Sequence, residues 1–141
     1  MTALRPFEEA DREQVISLWQ ECNLTRPWND PNKDIDRKAG FGEELFLVLL
    51  ADNKIIGTVM GGYDGHRGVM NYLAVSPDFR GMGHGRTLVE AVEEKLKALG
   101  CPKINLLVRT DNIEVSDFYS DLDYLAQDDV MVFGKRLIAD E

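Results

Sequence analysis

Apolar residues Val15, Leu18, Trp19 and Cys22 recur at i, i+3, i+4 and i+7, the spacing of one helical face, and predict a helix over residues 8–22 behind a short strand at 2–6. Asp30 followed by Pro31 is an N-cap with proline at the first helical position, and predicts a second, short helix over 31–39 that Gly40 and Gly42 end. The period then changes. Residues 44–51 and 54–61 are β-rich runs divided by Asp52 and Asn53, which reads as a hairpin, although Asp-Asn is a weaker turn signal than Asn-Gly. A third strand, 68–75, follows the turn-rich residues 63–67 and stops at Ser76 and Pro77. Leu88, Val92, Leu96 and Leu99 lie on one stripe of a long helix over 83–99, with Gly100 just past its end. The apolar run 104–108 has the look of a strand covered on both faces. A helix at 114–122 and strands at 124–127 and 130–135 complete the chain. This order predicts a single α+β domain over residues 1–141, with one mixed, mostly antiparallel sheet of six to seven strands and helices on both faces.

Composition narrows the function classes. A chain of 141 residues, 44% hydrophobic and 29% charged, is globular rather than disordered, and at this size buries roughly 68–70% of its unfolded surface. Sixteen Lys and Arg against 25 Asp and Glu give a net charge of −9. Such a surface repels phosphate backbones and anionic lipid, so neither nucleic acid nor membrane is expected as a partner. The longest apolar run, 46–51, is far below the roughly 20 residues of a membrane span, and the N-terminal residues do not form a signal peptide, so the cytoplasm is expected. Cys22 and Cys101, without a CxxC pair, are expected to be reduced structural thiols, and no metal site is expected.

The chemistry is concentrated in residues 73–87. A strand ends, the chain turns, and a long helix begins in a loop carrying Gly81, Gly83 and Gly85 between Arg80 and Arg86. Glycines allow close backbone approach, and a helix N-terminus offers free N–H groups and about +0.5 of charge, a combination suited to a pyrophosphate. A dinucleotide fingerprint fails in both registers, since Arg86 or Leu88 stands where the third glycine belongs. A P-loop fails at two mechanistic positions, with Arg80 in place of the first glycine and Arg86 in place of the lysine.

Arg80-Gly81-Met82-Gly83-His84-Gly85 resembles the acyl-CoA-binding motif of the GCN5-related N-acetyltransferase (GNAT) family. Asn112, followed by Phe118-Tyr119 and by Leu122-Asp123-Tyr124, resembles that family's second motif, with Asp123 where glycine is usual. Segments 24–31, 57–68, 100–104 and 134–138 are similar, more narrowly, to the bacterial YpeA group within the family. The resemblance covers essentially the whole chain. It implies a sheet splayed between the strand ending at Val75 and the strand from Ile104 into a cofactor cleft, with backbone groups of Leu73 to Val75 pairing with the pantetheine arm of acetyl-CoA as an added strand. It further implies that the Val75 N–H faces the thioester carbonyl, that amides from Gly81 through Met82, Gly83, His84 and Gly85 to Arg86 hold the pyrophosphate, that Asn112 binds the arm, and that Tyr119 is the general acid for the departing thiolate. Asp tolerates positive φ, so the Asp123 turn is expected to survive.

The implied activity is acetyl transfer from acetyl-CoA to a primary amine by direct attack in a ternary complex. A lysine-like amine is only roughly one part in 10³ neutral near pH 7, so a base or water chain has to take its proton. Asp64, His66, Glu43 and Glu44 are the candidates. Trp28, before the short second helix, is either a wall of the acceptor pocket or a hydrophobic plug. The negative chain favours a cationic acceptor, and a homodimer is the candidate assembly. Two other readings compete: a catalytically silent CoA-binding sensor or interaction module, and a degenerate nucleotide-binding domain.

Overall fold

In the computed structural model, which describes residues 1–140, five strands form one sheet in chain order: β1 (Thr2–Pro6), β2 (Phe46–Ala51), β3 (Lys54–Tyr63), β4 (Gly68–Val75) and β5 (Ile104–Asn105). The first four pair antiparallel and β5 joins β4 in parallel. The β2–β3 hairpin turns on Asp52 and Asn53 at φ 50 and 69. Both lie in the left-handed region that a two-residue type I′ turn demands, which Asp and Asn reach more readily than other non-glycine residues.

Helices cover both faces. On one, Val15, Leu18 and Trp19 of α1 (Arg12–Glu21) and Ile35 of α2 (Pro31–Lys38) share a core with Phe46, Val48, Met60 and Ala74. Helix α2 starts as its sequence foretold, with the Asp30 side chain accepting the Asn32 N–H at 2.9 Å and Pro31 at N1. On the other face, α3 (His84–Ala98) buries Leu88, Val89, Val92 and Leu96. It lies directly on the strand: a Cβ at Gly61 would come within 2.8 Å of Val92 Cγ1. Leu99, expected on the buried stripe, is the C-cap and half exposed.

Residues 1–105 with 140 form one compact unit and residues 106–139 a second. In the second, α4 (Ile113–Asp121) begins at Asn112, whose side chain accepts the Val115 N–H at 3.3 Å. It ends through Asp123 at φ 70, so aspartate does adopt the left-handed turn where glycine is usual. The sheet has five strands rather than six to seven. Residues 124–127 and 130–135 are not strands, and β5 stops at Asn105 rather than 108. A strand is held by a neighbour that takes its backbone hydrogen bonds. The second unit contains no such pairing, and Val130, Val132 and Phe133 are exposed.

Candidate active site

The outer edge of β4 pairs with β5 only at Gly68 and Val69. Among the described residues, that edge has no strand partner from Met70 to Val75, which is where the sheet opens. Across the inner edge Gly57 faces Val75, and the next residue, Ser76, donates its N–H to the Ile56 carbonyl at 2.7 Å. Backbone groups alternate sides along an antiparallel pair, so the Val75 N–H and carbonyl are directed to the open edge. The carbonyl accepts Arg80 Nε at 3.0 Å, and the same guanidinium lies 3.4 Å from Cys22 Sγ. Arg80 thus ties the loop to the end of β4 and to the end of α1.

Beyond a short turn at Pro77–Phe79, Gly81 and Gly83 adopt φ 78 and 83, and Gly83 is the N-cap of α3. A Cβ at either would meet nothing within 4 Å. Left-handed backbone is therefore what asks for glycine here, and the space above it is open. Among the described residues, no side chain caps this helix and no acidic residue occupies its first turn, which leaves its leading N–H groups without a capping side chain. Met82 is exposed, His84 packs its ring 6.4 Å from Phe79, and Arg86 makes one long ion pair with Glu90 at 3.7 Å. Leu73 is half-buried on β4.

A second cluster adjoins this track. Thr58 pairs with Ala74 but Met60 pairs with Asn71, so β4 bulges, and Tyr72 is thrown into the left-handed region at φ 52. Three interactions fix it. The Thr58 hydroxyl donates to the Tyr72 carbonyl at 2.8 Å while accepting Trp19 Nε1 at 2.9 Å, and the tyrosine ring stacks on Trp19 with centroids 3.7 Å apart. The tyrosine hydroxyl donates to Asp34 Oδ2 at 2.5 Å, an atom that also accepts Asn29 Nδ2 at 2.6 Å. Burial first, and then Asp34, raise the pKa of this phenol well above the ordinary tyrosine value. Arg37 bridges Asp34 and the buried Asp140 carboxylate. Beside the cluster opens a cavity of about 540 Å³, within the range of small-molecule sites. Trp28, 56% exposed, is part of its wall rather than a plug.

Arg26, Asp34, Arg37, Lys38 and Tyr72 were not singled out by sequence reasoning. The i, i+3 pairing of Asp34 with Arg37 is visible as charge spacing on a helix, but nothing in residue order marks the bulge at Tyr72. Two base candidates have structural duties: Asp64 accepts the His66 and Arg67 N–H groups at 2.7 Å each, and Glu43 accepts the Gly40 N–H at 2.9 Å. The Arg67 and His66 amides hold the Asp64 carboxyl below its usual range.

In the second unit, Tyr119 is buried against Phe118 and Tyr124, its ring edge-on to both. Burial pushes its pKa up to about 12. Asn112 serves as the cap of α4.

Comparison with known proteins is concordant. A family model described as "Acetyltransferase (GNAT) family" matches residues 12–124. An acetyltransferase of Yersinia enterocolitica is 54% identical over 138 residues, covering 98% of this chain and 97% of its own, and one of Sodalis glossinidius is 51% identical with the same coverage. Among solved structures, Ard1 from Thermoplasma volcanium is similar at 23% identity with a TM-score of 0.76, covering 89% of this chain and 84% of that one. At that identity the likeness speaks for the fold alone.

Proposed function

Because the chain belongs to the acetyltransferase (GNAT) family, we propose that it moves the acetyl group of acetyl-CoA onto a primary amine of a small molecule or peptide by direct attack in a ternary complex, residues 1–141 acting as one N-acetyltransferase domain. The observation that carries this reading is one continuous track. It runs from the unpaired edge of β4, through the left-handed Gly81 and Gly83, to the uncapped start of α3.

On this track the Leu73 to Val75 backbone takes the pantetheine amides as a further strand would. The amides from Gly81 to Arg86, aided by the Arg80 and Arg86 guanidinium groups, hold the pyrophosphate. The Val75 N–H donates to the thioester carbonyl as charge develops on its oxygen. The amine nitrogen forms its bond to the carbonyl carbon, and the carbon–sulfur bond breaks. Tyr119 gives its phenolic proton to the departing sulfur, and the proton lost by the amine passes to a base or to water. A phenol with a pKa near 12 is protonated at neutral pH, the state this role needs. Asn112 binds the pantetheine arm. On this reading the reaction takes place in the cytoplasm and needs no metal.

Tyr119→Phe is expected to slow thiol release by roughly a hundredfold or more while CoA still binds; unchanged turnover would remove the general-acid role. CoA is expected to raise the melting temperature by more than ATP or NAD does. CoA binding with no amine-dependent thiol release across a broad panel would make the chain a sensor instead.

A further inference from the structure

The cavity beside β4 borders the transfer track: Asn71 and Tyr72 line it, and Leu73 follows directly in the strand. At about 3.3 Å per residue, Tyr72 stands roughly 10 Å along the strand from Val75. The Tyr72 end of the cavity therefore lies within the span of an extended small molecule from the end of β4, where the Val75 N–H is directed.

The charges around this cavity do not follow those of the chain as a whole. Three cationic side chains, Arg26, Arg37 and Lys38, line it against one carboxylate, Asp34. Asp34 is already engaged by Tyr72, Asn29 and Arg37, so little of its acceptor capacity is left for a ligand ammonium. Arg37 is in turn matched by Asp34 and Asp140. Arg26 and Lys38 differ. Arg26 donates to the Asn23 and Thr25 carbonyls, Lys38 donates to the Gly61 carbonyl, and neither forms an ion pair with a described carboxylate. Burial lowers the Lys38 pKa, with Glu44 opposing, and a partly desolvated ammonium gains most from an anion placed beside it.

We propose that this cavity is the acceptor site and that it selects an amine bearing a carboxylate, held by Arg26 and Lys38 while the amine is presented to the thioester. The proposal rests on the transferase reading above and adds a carboxylate to the cationic acceptor expected from the whole-chain charge of −9. Global charge governs approach at a distance, whereas the groups lining a cavity govern what stays in it.

Calorimetric titration of the CoA-bound protein with γ-aminobutyrate, n-butylamine and putrescine tests this directly. The three share a four-carbon chain and a primary amine, and carry at the far end a carboxylate, a methyl and a second amine. γ-Aminobutyrate is expected to bind at least about tenfold more tightly than either, equivalent to roughly 1.4 kcal/mol, and the margin is expected to shrink as salt is added. Lys38→Met and, separately, Arg26→Gln are each expected to reduce that margin, so a folding defect in one variant leaves the other to decide. Equal or tighter binding of putrescine, or no detectable binding of γ-aminobutyrate, would overturn the proposal. Failure of all three amines to release thiol from acetyl-CoA counts against the transferase reading alone, since the order of binding is read without turnover.

Discussion

Tyr72 shows how a single residue couples packing to chemistry. A non-glycine residue held at φ 52 costs roughly 1–3 kcal/mol, and its neighbours over-determine it through Thr58, Trp19 and Asp34. Thr58→Val removes a buried hydroxyl that serves two partners, leaving the Trp19 N–H and the Tyr72 carbonyl unpaired. The variant is expected to lose about 1–3 kcal/mol, read as a lower midpoint in chemical denaturation followed by tryptophan fluorescence. Tyr72→Phe keeps the stacking but removes the donor to Asp34. It is expected to raise the acceptor KM while leaving CoA affinity within about twofold; an equal loss of both would mean that Tyr72 matters only to the fold. Residue order could not reveal this tyrosine, because a bulge depends on how β3 and β4 register with each other and alternation within one strand is silent about that. Arg80 and the glycines were legible for the opposite reason: their signal is local, a strand end, a loop of permissive residues and a helix start in consecutive positions.

At the level of elements, the contact between α3 and β3 positions the N-terminus of α3 and with it the proposed pyrophosphate loop. Gly61→Ala sets a Cβ 2.8 Å from Val92 Cγ1 and 3.3 Å from the Leu45 carbonyl, and neither a branched side chain nor a backbone atom yields readily. Overpacking of this kind is expected to cost about 1–3 kcal/mol, a fall in melting temperature of about 3–10 °C, with weaker CoA binding as α3 lifts. The helices and the first four strands were readable to within a few residues, since the 3.6-residue period and the caps at Asp30 and Gly100 act within a single segment. The strands expected at 124–127 and 130–135 were not formed, because alternation identifies a segment able to join a sheet and cannot supply the partner. The acceptor cavity was illegible for a related reason: its lining comes from residues 24 to 72, drawn together only by the fold.

Across the whole molecule, the net charge of −9 separates into local decisions. Arg5 grips the buried Asp11 carboxylate through two hydrogen bonds, 2.7 and 3.0 Å, joining β1 to the start of α1. The Arg5 hydrogen bonds, against the opposing effect of burial, hold the Asp11 pKa below its usual value. A depressed folded-state pKa contributes stability above the unfolded value of about 3.9 and loses it as pH falls through the folded one. Arg5→Met is therefore expected to lower stability at neutral pH, with the gap to the parent chain closing below about pH 4 in acid titrations of the melting temperature. Tyr119 has the opposite sign. Its raised pKa contributes stability that is intact below the unfolded value of about 10 and drains away as pH climbs toward about 12, so Tyr119→Phe is expected to flatten the alkaline loss. The cavity departs from the overall charge, because Arg26 and Lys38 give its lining a local sign opposite to that of the chain. The most direct measurement of the central claim is release of free CoA thiol from acetyl-CoA, followed with and without an amine. Release is expected to depend on the amine, to be matched mole for mole by N-acetylated product, and to leave no acetyl group on the protein. Amine-independent release, or an acetylated enzyme that passes its group to the amine in a second step, would contradict it.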